Sequence, residues 1–240
     1  MKQKRKAINF WTVRVEPYLK NSNKYRNKII EKEIEMFGDD RNKKYYRQKM
    51  KIARRVVEKI RAIPWIVMIG ITGSVATEWP KRDDDIDFVV ICQDNRLWLC
   101  RLIVLVELKF FGFKVRSFFR NKKNGLCFNL WLEEKSMEIE KSRRGMLTAL
   151  EILWMKPIFL RKNFYNKFLA ANKWIEKYIK LNIEDGLTGK KGRKNNLLSW
   201  LNKFLYRLQF IYMKNKITGE IVAEDKAYFH PQGRIRFDRI

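Results

Sequence analysis

Two aspartates separated by one residue begin an apolar segment, Asp85-Ile86-Asp87-Phe88. On a β-strand, residues i and i+2 point to the same face, roughly 7 Å apart. Two carboxylates on one face repel each other, and divalent cations with oxygen ligands relieve that repulsion. Two magnesium ions on such a face would clamp the attacking and leaving oxygens of a phosphoryl-type transfer. Asp85 and Asp87 are therefore predicted to bind Mg²⁺ or Mn²⁺.

A Gly73-Ser74 pair follows the apolar run Trp65–Ile71, which is typical of a buried strand. A glycine lets the backbone approach a phosphate closely, and Ser74 stands where a short helix could begin with free amides that attract anions. The chain has no G-x-x-x-x-G-K-[ST] motif, which excludes a P-loop. Either motif alone is a common turn or a solvated loop, but a short spacer joins the two at strand edges. Together they predict a site for phosphate and metal.

Gly-Ser, a short spacer and Asp-x-Asp on a strand resemble the core of the DNA polymerase β-type nucleotidyltransferase superfamily. The spacing is similar to that of its small stand-alone bacterial and archaeal members, and the resemblance covers about residues 60–135, under half of the chain. The resemblance implies that Gly73 and Ser74 hold a nucleoside triphosphate and that Asp85 and Asp87 bind the metals. An acceptor hydroxyl would attack the α-phosphate, and pyrophosphate would leave.

The same resemblance implies a third carboxylate on a later strand, which activates the acceptor hydroxyl. The matching strand is Leu126–Leu132, and its inward polar residue is Asn129. An amide ligates a metal weakly and cannot act as a base. Glu133 is the nearest substitute, since strand alternation predicts it on the same face as Asn129. A solvated strand end is the competing interpretation of Glu133.

The elements that must position these residues fall into three predicted regions: an N-terminal helical segment 1–62, a nucleotidyltransferase core 63–135 and a C-terminal helical region 136–240. The predicted fold is α/β (α+β), a small mixed sheet of the nucleotidyltransferase type flanked by N- and C-terminal helices. The apolar patterns predict strands at 65–71, 85–92, 113–119 and 126–132, and helices at 29–37, 52–60, 95–111, 140–155, 161–181 and 195–214.

Charge points to an anionic partner. The chain of 240 residues carries 53 basic and 26 acidic side chains, a formal net charge of +27. Such an excess favours nucleic acid, here RNA, nucleoside triphosphates or an anionic membrane as partners, although a compositional bias on solvated faces would give the same number. A loop with Lys190, Lys191, Arg193 and Lys194 is predicted to contact RNA.

The cysteines and the apolar segments indicate in which cellular compartment the protein lies. Cys92, Cys100 and Cys127 lie in apolar settings without a C-x-x-C pair, as buried reduced thiols do. The longest apolar stretch, Leu97–Phe113, is interrupted by charged residues and predicts no membrane span. The basic N-terminus lacks a continuous apolar segment of the signal-peptide kind. A cytoplasmic location is expected.

Two further functions stay open at this stage. One is nucleotidylation of a protein or small molecule, as in toxin–antitoxin relatives of the superfamily. The other is a non-catalytic nucleotide or nucleic-acid binder, which Asn129 favours and which the intact Asp85–Asp87 pair argues against. The charge of +27 favours a nucleic-acid acceptor over a small molecule.

Overall fold

The sheet that carries the site is mixed and six-stranded. The computed structural model describes residues 41–116, 125–161, 164–183 and 196–229. Its strands are β1 Ile66–Thr72, β2 Ile86–Cys92, β3 Leu126–Glu133, β4 Lys156–Leu160, β5 Ile221–Val222 and β6 Lys226–Tyr228. They lie in the order β4-β1-β2-β3-β6-β5, with β2 and β3 parallel and every other neighbouring pair antiparallel. This architecture confirms the predicted mixed α+β fold.

Helices cover both faces of the sheet. They are α1 Arg41–Ile60, α2 Gly73–Ala76, α3 Leu97–Phe110, α4 Met146–Trp154, α5 Phe164–Ala171 and α6 Asn196–Met213. Helix α1 ends before Pro64, as expected from the restriction that a proline places on the residue before it. The helix predicted at 29–37 lies outside the described residues. Within the described ranges, no helix is long and apolar enough to cross a membrane.

Strand β2 shows why its sequence reads as a continuous apolar run. Phe88 and Val90 belong to one buried cluster with residues of α1, α3 and α6, whereas Val89 and Ile91 belong to a second with residues of α4 and α5. A strand that is buried on both faces has no polar alternation to show. Only Asp87 near the beginning of β2, and Asp85 just before the strand, depart from this pattern.

The C-terminal half differs from the all-helical prediction. Strand β4 lies between the two predicted helices at 140–155 and 161–181, and β5 and β6 extend the sheet at the other edge. The second of those predicted helices is α5 followed by a 3-10 turn at Lys173–Lys177. The domain boundary predicted at residue 135 stays a prediction. The sheet contains strands from both sides of that residue. Of the strand predicted at 113–119, Val115 bridges to Leu126, and residues 117–124 lie outside the described ranges.

Candidate active site

Three strand ends meet where the sequence predicts the site. Strand β1 runs antiparallel to β2, so its last residue, Thr72, pairs with Asp87 near the start of β2. Strand β3 runs parallel to β2 and pairs Cys127 with Asp87. The end of β1 and the starts of β2 and β3 therefore lie side by side. The topology brings Gly73, Asp85, Asp87 and Asn129 to one edge of the sheet.

Gly73 is held against the carboxylate of Asp87. Its φ of +67° lies in the left-handed region, and a Cβ built on it would come within 2.5 Å of Asp87 Oδ2. Any other residue here would be strained in its backbone and would push Asp87 aside. Ser74 follows in the first turn of α2, half-buried, and its carbonyl accepts a hydrogen bond from Thr77 Oγ1 at 3.0 Å. The glycine is thus required by the contact with Asp87 and by the turn.

Both carboxylate oxygens of Asp85 already have partners. Oδ1 accepts a hydrogen bond from the backbone N–H of Gly125 at 2.8 Å, and Oδ2 forms a salt bridge with Arg116 Nη1 at 2.7 Å. The side chains of Asp85 and Arg116 are 16% and 26% exposed. Arg116 therefore neutralises one of the two acids, a role that the paired aspartates predict for metal ions.

Asp87 is joined to Asn129 across the two parallel strands. Asn129 Nδ2 donates to Asp87 Oδ1 at 2.6 Å, and the thiol of Cys127 donates to Asn129 Oδ1. Burial, with a further contribution from the negative charge of Asp87, raises the pKa of Cys127 to about 12, so this thiol stays protonated and can donate near neutral pH. The amide stands where the superfamily resemblance implies a third carboxylate, and it meets Asp87 as a hydrogen-bond donor.

Glu133 is not part of this cluster, and the predicted strand alternation that placed it beside Asn129 is wrong. The register of β2 and β3 shifts at Asn129, because Phe88 pairs with Phe128 but the next residue, Val89, pairs with Leu130. This bulge reverses the alternation beyond it.

Glu133 instead lies at the opposite end of the sheet, paired with Cys92. At about 3.3 Å per residue, that end is roughly 16 Å from Asp87. The carboxylate, 1% exposed, accepts hydrogen bonds from the backbone N–H groups of Arg96 and Leu97 at 3.0 and 3.3 Å. It therefore satisfies free amides at the start of α3.

Lys49 of α1 holds the loop that leads into Asp85. Its ammonium donates to the carbonyl oxygens of Arg82 and Asp84 at 3.1 and 2.6 Å, and the residue is 5% exposed. Burial lowers the pKa of Lys49, against the opposing effect of the nearby carboxylates Asp84, Asp85 and Asp83. Beside this contact, a groove of about 510 Å³ is lined by Lys44, Tyr45, Gln48, Lys49, Ile52, Arg82 and Ile86.

Sequence reasoning missed Lys49 and Arg116. Lys49 continues the buried stripe of α1, since Ala53, Val56 and Ile60 follow it at helical spacing. A lysine at a buried position of an amphipathic helix needs polar partners, and this pattern could have identified it from the sequence. Arg116 carried no comparable signal, because its contact with Asp85 joins positions 31 residues apart in sequence. The basic loop at Lys190–Lys194 lies outside the described residues.

Asp85 and Asp87 supply carboxylate oxygens, which are the kind of ligand that a hard divalent ion prefers. Among the described residues, no group of three or more His, Cys, Asp or Glu side chains is placed to hold a metal. Asp85 and Asp87 thus offer two carboxylates, and Mg²⁺ is commonly bound by one or two carboxylates together with waters and substrate phosphates. Two carboxylates do not complete the coordination of such an ion, so an ion at this position would need waters or substrate oxygens as further ligands.

No family model matches the chain, and no curated protein matches it. One solved structure that matches is described as the crystal structure of a toxin–antitoxin with AMP-PNP. It is 14% identical, the match covers 54% of this chain and 86% of that chain, and the TM-score is 0.32. A TM-score this low does not establish a shared fold.

Proposed function

We propose that the protein is a metal-dependent nucleotidyltransferase that moves a nucleoside monophosphate from a nucleoside triphosphate to an acceptor hydroxyl on RNA. The observation that carries this proposal is the contact of Gly73 with the Asp87 carboxylate, with Asp85 two residues away. The backbone of Gly73, which carries no side chain, lies directly against the carboxylate of Asp87. A phosphate chain and its metal ion need these two surfaces side by side.

Asp85 and Asp87 would hold Mg²⁺ or Mn²⁺, and the ion would neutralise the charge that develops on the phosphoryl oxygens. Gly73 and Ser74 would accept the triphosphate, with the Ser74 hydroxyl as one hydrogen-bond donor. Gly73 also fixes Asp87, because the Oδ2 atom occupies the space of the missing Cβ. In this proposal the turn at Gly73 and Ser74 positions both the phosphate and the Asp87 carboxylate beside it.

No carboxylate takes the place of the third acid in this proposal. Asn129 has no group basic enough to accept a proton, and Glu133 is committed to the start of α3. The proton of the acceptor hydroxyl would leave to water. Positioning and charge neutralisation then supply the catalysis, and the rate would be low, since general-base assistance is commonly worth about a hundredfold or more.

RNA is the acceptor that the charge distribution supports. Helix α6 contains no acidic residue, and its exposed face carries Lys203 and Arg207 beside Trp200 and Phe204. The two rings are 64% and 51% exposed and stack with centroids 5.9 Å apart. Exposed aromatic rings among basic side chains suit the bases and phosphates of a single strand. The groove with Lys44, Lys49 and Arg82 adds positive charge next to the loop that carries Asp85.

A labelling experiment tests the proposal. The protein is incubated with each α-³²P-labelled nucleoside triphosphate, Mg²⁺ or Mn²⁺, and either cellular RNA or cellular protein. The expected result is label in RNA with the parent protein and none with the Asp85→Asn/Asp87→Asn double variant. Glu138→Gln is a matched control, because Glu138 is 59% exposed and pairs with Arg144. Label in protein instead would move the proposal to nucleotidylation of a protein.

A second candidate is a non-catalytic nucleotide binder. The pairing of Asp85 with Arg116 and of Asp87 with Asn129 favours it, because both acids are satisfied without a metal. This candidate predicts triphosphate binding without transfer to any acceptor under either metal.

A further inference from the structure

We propose that Arg116 is an internal counter-cation of Asp85 that metal binding displaces, and that the released guanidinium then binds the phosphates of the nucleotide. This inference rests on the proposed function, since it concerns the same metal and triphosphate. It adds a residue that neither the sequence motifs nor the superfamily resemblance identifies. Its consequence is that metal and triphosphate bind together rather than separately.

The starting arrangement is visible in the structure. Arg116 Nη1 lies 2.7 Å from Asp85 Oδ2, and the Gly125 amide donates to the other oxygen at 2.8 Å. The Gly125 contact is a backbone contact that fixes the orientation of the carboxylate. The Arg116 contact comes from the end of a long side chain and can be exchanged while Asp85 stays in place. Oδ2 is therefore the oxygen that a metal would take.

A guanidinium and a metal ion cannot share that oxygen at little cost. Both are cations, and a metal ion about 2.0–2.1 Å from Oδ2 would stand next to the charged Nη1 group. At such separations like charges repel strongly, and both groups are partly shielded from water. Arg116 and the metal therefore compete for Asp85, and the salt bridge lowers the metal affinity of the free protein.

The backbone of Arg116 stays in place during such an exchange. Its N–H donates to the carbonyl of Leu126 at 2.8 Å, and the Leu126 N–H donates to the carbonyl of Lys114 at 2.9 Å. These bonds tie the Cα of Arg116 to the start of β3, next to the Asp85–Asp87 end of the sheet. A change of side-chain rotamer alone would move the guanidinium away from Asp85 while it remains at the mouth of the site.

Phosphate is the natural new partner for the displaced group. The planar guanidinium presents donors in a fork that matches phosphate oxygens, and the pairing is charge-assisted. A triphosphate that arrives with its metal would supply both the cation for Asp85 and the anion for Arg116. Metal alone must break the salt bridge without replacing it, and nucleotide alone finds Arg116 already paired. The two ligands are then linked by positive coupling, and each raises the affinity for the other.

Calorimetric titration of Mn²⁺ and of a non-hydrolysable triphosphate, each alone and both together, tests this exchange. Arg116→Gln removes the competing charge, so Mn²⁺ alone should bind about tenfold more tightly than to the parent, in line with the usual strength of a charged hydrogen bond. In saturating Mn²⁺, the same variant should bind the triphosphate about tenfold more weakly. The coupling between the two ligands should therefore fall.

Two further variants keep the test decisive. Arg116→Lys retains the charge but not the fork, so its affinity for Mn²⁺ alone should stay near that of the parent while its triphosphate affinity falls. Arg144→Gln breaks a different arginine–carboxylate pair, with Glu138, and should change neither affinity. Thermal unfolding of each variant separates a local effect from loss of the fold.

Opposite signs of the two Arg116→Gln effects support the exchange. Unchanged Mn²⁺ affinity, unchanged triphosphate affinity, or no Mn²⁺ binding by any of the proteins would overturn it. Failure of the proposed function looks different: the opposite shifts would be present, but no labelled acceptor would form.

Discussion

The two ends of strands β2 and β3 place acidic side chains in opposite circumstances. At one end, Glu133 is 1% exposed and accepts hydrogen bonds from the backbone N–H groups of Arg96 and Leu97. At the other end, Asp85 and Asp87 are held partly by side chains, Arg116 and Asn129. The backbone partners of Glu133 lie at the start of a helix and cannot leave without disrupting it, and its Oε2 also forms a salt bridge with Lys135 Nζ at 2.9 Å. The side-chain partners of the aspartates can be exchanged for a ligand.

This difference separates a carboxylate that stabilises the fold from one that can bind a ligand, although both lie at the end of an apolar strand. The distinction lies in what the oxygens contact and not in residue type or distance from the strand terminus.

Glu133→Ala should give the largest loss of stability. It leaves two buried N–H groups without an acceptor, and each stranded donor costs roughly 1–3 kcal/mol. We expect the free energy of unfolding in urea to fall by about 3 kcal/mol. Glu138→Ala, at an exposed glutamate, should change it little.

The activity of the folded Glu133→Ala protein, per folded molecule, should match the parent. A stable Glu133→Ala protein without transfer activity would mean that Glu133 takes part in catalysis. The two ends of the strands would then not differ in the way described.

Asn129→Asp should have an intermediate effect whose sign depends on metal. Asn129 Nδ2 lies 2.6 Å from Asp87 Oδ1, so an aspartate would bring two carboxylate oxygens together. Without metal, the melting temperature should fall by several degrees, corresponding to about 1 kcal/mol. With Mn²⁺, the added ligand should more than restore it, and transfer activity should rise above the parent.

The matched comparison is the melting temperature of the parent with and without Mn²⁺. If Mn²⁺ stabilises the parent and Asn129→Asp equally, Asn129 does not border the metal position.

The sequence predicted the fold better than it predicted the site's partners. The apolar run Trp65–Ile71 matches β1, and the run after Asp85 matches β2, because strands buried on both faces read directly from composition. Strand β4, Lys-Pro-Ile-Phe-Leu, is short and lies directly after α4, so local pattern assigned its surroundings to helices. Its place in the sheet comes from pairing with β1, which no local pattern contains.

The site shows the same limit more sharply. Spacing identified Gly73, Asp85 and Asp87, which the structure brings together, since they lie in one contiguous motif. The extra residue at Asn129 changes the register by one and moves Glu133 to the other face, and a single bulge has no signature in strand alternation. Arg116 reaches Asp85 only through the tertiary fold.

The smallest expected effect concerns the exposed face of α6. Lys203→Gln/Arg207→Gln should weaken the binding of single-stranded RNA to a similar degree for all sequences. It should also reduce the slope of log K against log salt by about 0.7 per lost phosphate contact. Lys177→Gln/Lys180→Gln removes the same charge from exposed positions after α5 and is the control. Equal losses in both double variants would mean that α6 has no special role.

The most direct test of the central claim is Mn²⁺-dependent binding of a non-hydrolysable triphosphate, measured by calorimetry on the parent, Asp85→Asn/Asp87→Asn and Glu133→Gln. The account predicts binding by the parent and by the folded Glu133→Gln protein, and none by the double variant, whose unfolding free energy should stay within about 1 kcal/mol of the parent. Undiminished Mn²⁺-dependent binding by a folded double variant would contradict the assignment of the site to Asp85 and Asp87.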